Sequence, residues 1–158
     1  MANIEPSEKD STGVFLPQGE DVFRFLKNFS SDNMVSASEF ELSTEDKSSL
    51  SKSLSVWAIS KASPINTIKY LGEFSASYQY YFLLSVDDIR SIISSETEIQ
   101  TRPLDVIWEP HESGAPGHAG ITGLNRPPNV SKIVYRSIRI SLADLANLRG
   151  TARVHIES

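Results

Sequence analysis

The sequence of 158 residues contains no cysteine. Disulfide bonds, thiolate nucleophiles and cysteine-ligated zinc are therefore excluded. No apolar run approaches the roughly 18–20 residues that a membrane-spanning helix needs. The N-terminal segment is polar and acidic, unlike a secretory signal peptide. Together these absences predict a cytoplasmic protein that has no membrane partner.

Recognised catalytic and cofactor-binding motifs are also missing. The chain has no Gly-x-Gly-x-x-Gly dinucleotide fingerprint, no phosphate-binding loop ending in Gly-Lys-Ser/Thr, and no Gly-x-Ser-x-Gly nucleophile elbow. We therefore expect no cofactor and no bound metal. Whether the protein is an enzyme stays open at this point.

Charge is modest and unevenly distributed. The formal net charge is −5, which gives no general attraction toward nucleic acid or an anionic membrane. Residues 1–50 hold ten acidic and four basic side chains, whereas residues 126–158 hold six basic and two acidic ones. The simplest interpretation is that the two ends of the chain lie near each other and neutralise.

Length and composition predict one folded domain. Hydrophobic residues make up 39% of the chain and aromatic residues 9%, which is enough for a core. Residues 1–13 lack periodicity, so we expect a mobile tail there and a single domain over residues 14–158. Strand and helix patterns alternate irregularly, which predicts an α+β fold. We expect a mixed or mainly antiparallel sheet of four to five strands with three to four helices.

The helices and strands are predicted from apolar spacing, capping residues and turn residues. The predicted helices cover residues 19–29, 64–71, 86–94 and 129–148. The predicted strands cover residues 54–60, 77–84 and 104–108, with shorter ones over 118–122 and 152–156, and an extended segment over 34–42. An alternative for residues 129–148 is a strand over 133–140 followed by a shorter helix. Six side chains are predicted to be largely buried: Trp57, Tyr80, Phe82, Leu84, Ile107 and Ile138.

Most of the candidate chemistry lies in a long loop rich in glycine and proline, over residues 109–128. A loop of this length in a compact domain is typically functional or disordered. It carries His111 and His118, and two converging imidazoles suit acid–base catalysis because they titrate near neutrality. The simpler interpretation makes His111 a solvated residue and His118 a hydrogen-bonding structural residue. We expect His118 to be at least half buried.

Two further groups of residues are candidates for binding an anion. Gly117 and Gly120 let the backbone approach a phosphate closely, although glycine there also serves tight turns with positive φ. Lys132, Arg136 and Arg139 share one face of the last predicted helix, and a basic face of this kind contacts phosphates. Its simpler interpretation is a solvated helix surface.

Four short segments follow a recurring pattern. They are Val35-Ser-Ala-Ser-Glu-Phe40, Leu54-Ser-Val56, Gly117-His-Ala-Gly-Ile121 and Leu142-Ala143. The chain thereby resembles a family of short uncharacterised bacterial proteins over about residues 20 to 149. The resemblance implies a single bacterial domain and carries over no established function.

Three hypotheses for function follow from these residues. The first is a small accessory or regulatory domain that binds another protein through the 109–128 loop and the basic helix. The second is an enzyme acting on a phosphate-bearing or nucleotide substrate, with His118 as acid and base, His111 assisting and the glycine loop holding the anion. The third is nucleic-acid binding through Lys132, Arg136 and Arg139.

Overall fold

The computed structural model describes most of the chain as one open antiparallel sheet of six strands with three α-helices and one 3-10 helix. The described residues are 13–26, 34–43, 47, 52–71, 80–94, 101–111 and 113–154. The α+β class is therefore confirmed, and the sheet is antiparallel throughout. The expected four to five strands were too few. The predicted mobile tail lies outside the described residues, apart from Gly13.

The described helices and strands lie in the following order along the chain. They are β1 (Asp21–Phe25), the 3-10 helix (Ala37–Phe40), β2 (Leu54–Ala58), α1 (Pro64–Leu71), β3 (Tyr80–Ser85), α2 (Val86–Ser91), β4 (Asp105–Trp108), β5 (His118–Thr122), α3 (Lys132–Arg149) and β6 (Thr151–Arg153). The strand order in the sheet is β4-β5-β2-β1-β3-β6. β1 and β2 therefore lie in the middle, and β4 and β6 lie at the two ends.

The helix predicted over residues 19–29 is wrong, because this segment contains β1. β1 lies between β2 and β3, and Val22, Phe23 and Phe25 are each buried. A strand that is buried on both faces has a continuous apolar pattern instead of an alternating one. Such a short run cannot be distinguished from a buried helical segment by periodicity alone. This missed strand accounts for the low strand count.

The segment over residues 34–42 is not extended throughout, since the 3-10 helix occupies its middle. Phe40 is fully buried, as expected of that side. The Asn147 side chain of α3 pairs with both backbone polar groups of Val35. Its Oδ1 accepts from Val35 N at 2.7 Å, and its Nδ2 donates to Val35 O at 2.9 Å. A side-chain amide thus takes the place of a neighbouring strand and holds the 3-10 helix against α3.

A buried arginine on β1 fixes the other side of the 3-10 helix. Arg24 is only 6% exposed. Its Nε donates to the backbone oxygen of Glu39 at 3.2 Å, and its Nη1 donates to the backbone oxygen of Ser55 at 2.8 Å. A buried guanidinium needs such acceptors because burying a charge without partners is costly. Arg24 therefore ties β1, β2 and the 3-10 helix together.

The other predicted elements are present within a few residues of their expected positions. Ser85 caps α2 by accepting a hydrogen bond from Asp88 N, and Gly150, at φ +80°, ends α3. The alternative strand over residues 133–140 is wrong. Those residues lie in a helix whose buried side includes Ile138 and Leu142, so the apolar face outweighs the β-branched residues.

The two faces of the sheet carry separate apolar clusters. The larger one packs under α2, α3 and the 3-10 helix, and the smaller one packs under α1. Of the side chains predicted to be buried, Trp57, Phe82, Leu84 and Ile138 are buried. Tyr80 and Ile107 are only partly buried. The larger core therefore lies between the sheet and α3.

Truncating the centre of the larger core should destabilise the fold strongly. Phe82 is 1% exposed and packs edge-on against Phe40, with ring centroids 5.6 Å apart. Phe82→Ala is expected to lower the free energy of unfolding by roughly 3–5 kcal/mol in urea denaturation. Phe15→Ala is the matched control, because Phe15 is 61% exposed and should change stability little. Similar losses in both variants would contradict this assignment of the core.

Candidate functional site

Two histidines and a tryptophan meet where β2 and β5 pair. The register of these strands places His118 opposite Trp57. The His118 and Trp57 ring centroids are 5.2 Å apart, and the His111 ring lies 5.8 Å from Trp57 and 4.9 Å from His118. We call these three residues the aromatic cluster. The structure thus brings together the two histidines that the sequence singled out.

His118 is a buried residue that makes a hydrogen bond to the backbone. It is 4% exposed, so the expectation that it is at least half buried is confirmed. Its Nδ1 lies 2.6 Å from the backbone oxygen of Glu109. A carbonyl oxygen can only accept a hydrogen bond, so Nδ1 must carry a proton. Because Glu109 N also donates to His118 O, the imidazole and the backbone together close the 109–118 loop.

His111 is oriented by its own turn. Its Nδ1 accepts a hydrogen bond from Ser113 N at 3.1 Å and lies 2.7 Å from Ser113 Oγ, which in turn accepts from Ala115 N. The neutral ring therefore carries its proton on Nε2. His111 is partly buried, so it is the more accessible member of the histidine pair.

Gly117 and Gly120 have packing roles. Gly117 has φ +80°, and a Cβ there would lie 2.9 Å from the Ala62 Cβ, just before α1. At Gly120 a Cβ would collide with Ser53 Oγ, which donates to Glu109 Oε2 at 2.9 Å. Neither glycine lines the two cavities described below. Both glycines therefore allow neighbouring segments of this chain to pack closely against each other at this site.

Comparing two glycines of the same loop isolates the packing at Gly117. Gly114 and Gly117 have nearly the same φ, +78° and +80°, but a Cβ at Gly114 would meet nothing within 4 Å. Both substitutions to alanine should therefore carry the same backbone strain. Gly117→Ala is expected to lose about 1–3 kcal/mol more in urea denaturation, the usual cost of overpacking. Equal losses would contradict the close packing against Ala62.

Removing the His118 ring should affect stability more than binding. His118→Ala is expected to lower the free energy of unfolding by about 2–3 kcal/mol, because a buried ring and its hydrogen bond are lost. His111→Ala is the control and should cost less, since His111 is more exposed. Thermal melting and calorimetry with phosphate or zinc measure the two effects. Unchanged melting with loss of measurable ligand binding would instead assign His118 to a ligand site.

A cavity of about 350 Å³ lies between the 3-10 helix, residues 124–126 and the first half of α3. Its lining is rich in positive charge and includes one carboxylate: Lys47, Arg126, Lys132, Arg139 and Glu41. Its apolar lining is Phe40, Leu42 and Leu124, with Asn125 and Tyr135 between. We call this site the basic cavity. Arg136, the third basic residue expected on this face, is exposed and does not line it.

The four cations of the basic cavity have no carboxylate partner within the part of the chain that the structure describes. Arg90 pairs with Asp105 at 2.7 Å, and Arg149 pairs with Asp21 at 3.0 Å. The latter pair joins the acidic and basic ends of the chain, as the charge distribution suggested. Arg126 Nη1 donates instead to the backbone oxygen of Val130 at 2.6 Å, which holds its guanidinium near the cavity.

Helical spacing in the sequence predicts part of the basic cavity. Lys132 and Arg139 were identified from their spacing on one helix. Tyr135 lies three residues after Lys132 and four before Arg139, so helical spacing also places it on that side. No helical spacing in the sequence relates Lys47 and Glu41 to this cavity. They line it because of where the 3-10 helix and the chain after it lie in the fold.

A second cavity, of about 540 Å³, lies beside the start of α1. Its lining includes Lys61, Lys69, Asn66 and Pro116. Lys61 Nζ also lies 4.5 Å from the centroid of the Trp108 ring, a cation–π contact. The 109–128 loop contributes Pro116 to this cavity and residues 124–126 to the basic cavity.

Comparisons with known proteins give no family for this chain. Family models, curated proteins and solved structures all returned no match. The resemblance to short bacterial proteins therefore stays a prediction. Among the described residues, no group of three or more His, Asp or Glu side chains could hold a metal ion. No helix described here is long and apolar enough to cross a membrane.

Proposed function

We propose that this chain is a binding domain whose basic cavity receives an acidic segment of another protein. The observation that carries the proposal is the charge of the cavity. Four cationic side chains face one carboxylate, and within the described residues none of the four forms an ion pair. Positive potential gathered in a concave surface attracts and orients an acidic partner.

The cavity lining suits a peptide segment with both acidic and apolar side chains. Leu42 is partly exposed and supplies apolar surface beside the cations, above the buried Phe40 and Leu124. The rim is open, since Lys47 and Lys132 are exposed. The cations come from three separate parts of the chain, which fits an extended segment that crosses the cavity. A combined apolar and charged contact surface is typical of protein interfaces.

Two residues of α3 supply different parts of the recognition. Arg139 is partly buried, and its planar guanidinium can bind a carboxylate through two parallel hydrogen bonds. Lys132 is the first residue of α3, where the helix dipole also favours a negative group. Arg139 therefore provides geometric specificity, whereas Lys132 provides long-range attraction.

Charge reversal in the cavity should abolish recognition of an acidic peptide. Fluorescence anisotropy with a labelled octaglutamate peptide at low salt measures this binding. Arg139→Glu and Lys132→Glu are each expected to weaken it at least about tenfold, as for truncated interface charge pairs. Arg153→Glu is the matched control, since Arg153 is exposed on β6 and does not line the cavity. It changes the net charge equally and should leave binding nearly unchanged.

Three outcomes of the same titration contradict the proposal. Equal loss in Arg153→Glu would show that only net charge matters. Preference for a single-stranded oligonucleotide, with a steep salt dependence and loss in Arg136→Glu, would favour nucleic-acid binding. Binding of inorganic phosphate but not of the peptide would favour a small-anion site.

A second candidate function is an enzyme acting on a phosphate-bearing or nucleotide substrate. The observation in its favour is the 4.9 Å separation between the His111 and His118 rings. Hydrolysis of a panel of nucleotides tests it. Activity that is lost in His111→Gln, whose melting temperature is unchanged, supports this candidate, and activity that persists in His111→Gln removes it.

A further inference from the structure

The solvent-facing side of α3 carries a line of large apolar side chains. Ile133 is 75% exposed, Ile140 is 42% exposed and Leu148 is 84% exposed. Ser137 and Asp144 lie between them and are also exposed. Steps of three and four residues place all five on one stripe along the helix. We call these five residues the outer stripe.

The outer stripe is separate from the surfaces of α3 that build the fold and the basic cavity. The helix packs on the sheet through Ile138, Leu142 and Ala146, which are buried. Lys132 and Arg139 line the basic cavity on one flank. Single exposed apolar residues are common on protein surfaces, so it is the alignment of the three apolar side chains of the outer stripe, together with the charges beside them, that indicates an interface.

Four of the five residues of the outer stripe lie in symmetric pairs about the middle of the helix, and Ile140 lies next to that middle. α3 runs from Lys132 to Arg149, so its midpoint lies between Ile140 and Ser141. Ile133 and Leu148 are equally distant from that midpoint, and so are Ser137 and Asp144. A twofold axis through the midpoint would therefore place each apolar end of the stripe against the other end in a second copy.

We propose that the outer stripe joins two copies of this chain through antiparallel packing of their α3 helices. In this arrangement Ile133 faces Leu148 of the second copy, and the two Ile140 side chains meet at the axis. An isologous contact requires a self-complementary surface. The pairing of Ile133 with Leu148 and the charges described next supply that complementarity.

Charge is complementary in the same register. Arg136 borders the stripe next to Ser137, and Ser137 faces Asp144 of the second copy. Among the described residues, neither Arg136 nor Asp144 has an ion-pair partner within its own chain. The antiparallel arrangement gives each Arg136 an acidic neighbour across the interface, and symmetry repeats the pair. One helix per copy buries less than a standard interface, so the dimer is reversible.

Sedimentation equilibrium of the full chain tests the apolar part of this interface. The wild type is expected to change from monomer to dimer as its concentration rises through the micromolar range. Ile140→Glu should weaken the dimer at least about tenfold, since it places a charge at the centre of the contact. Ile59→Glu is the control, because Ile59 is 41% exposed and lies on the turn after β2. It should leave dimerisation unchanged, and far-ultraviolet circular dichroism checks that both variants fold.

Charge exchange tests the register. Arg136→Glu should weaken the dimer by about fivefold, because it places like charges together. The double variant Arg136→Glu/Asp144→Arg should restore it to within about twofold, since the pair is formed again with reversed signs. A protein that is monomeric at every concentration, a dimer that survives Ile140→Glu, or a failure of the exchange to restore association would overturn the proposal. These results are independent of peptide binding in the basic cavity.

Discussion

Burial of β1 on both faces is the constraint on which the rest of the structure depends. One face contributes Phe23 and Phe25 to the smaller cluster, and the other contributes Val22 to the larger one. The larger side also contains the guanidinium of Arg24, which must be given acceptors. It finds them on the 3-10 helix and on β2. The 3-10 helix forms one wall of the basic cavity, and its position is thus fixed in part by its hydrogen bond to the buried guanidinium of Arg24.

The aromatic cluster and the basic cavity differ in how firmly the surrounding structure positions their side chains. In the aromatic cluster, strand pairing, a backbone hydrogen bond to His118 and close glycine packing determine nearly every position. The basic cavity has Lys47 and Lys132 exposed on its rim, and of its cations Arg126 is held by a hydrogen bond to the backbone. A buried, hydrogen-bonded histidine suits stabilisation of a loop, whereas exposed cations on a cavity rim suit contact with a partner.

Local signals in the sequence were sufficient to predict most of the helices and strands, but they were not sufficient to predict the two candidate sites. Ser85 and Gly150 mark helix ends through chemistry that acts within a few residues, so α2 and α3 could be predicted. β1 could not, because Val22, Phe23 and Phe25 are buried in apolar clusters on the two faces of the sheet and their spacing also matches a helix. The basic cavity also depends on the bond between Val35 and Asn147, which are 112 residues apart. No pattern within a short window reports such a contact.

The residues before β1 cover one edge of the sheet. Residues 13–16 run along the outer side of β4, where Leu16 N donates to Val106 O and Trp108 N donates to Val14 O. The strand at the opposite end, β6, has three residues. A long unpaired strand is a template for addition of strands from other molecules. Proteolytic removal of residues 13–15 would therefore leave Leu16, which is 2% exposed, in the core and still free the edge of β4 at Trp108, which would make this protein prone to aggregation along β4.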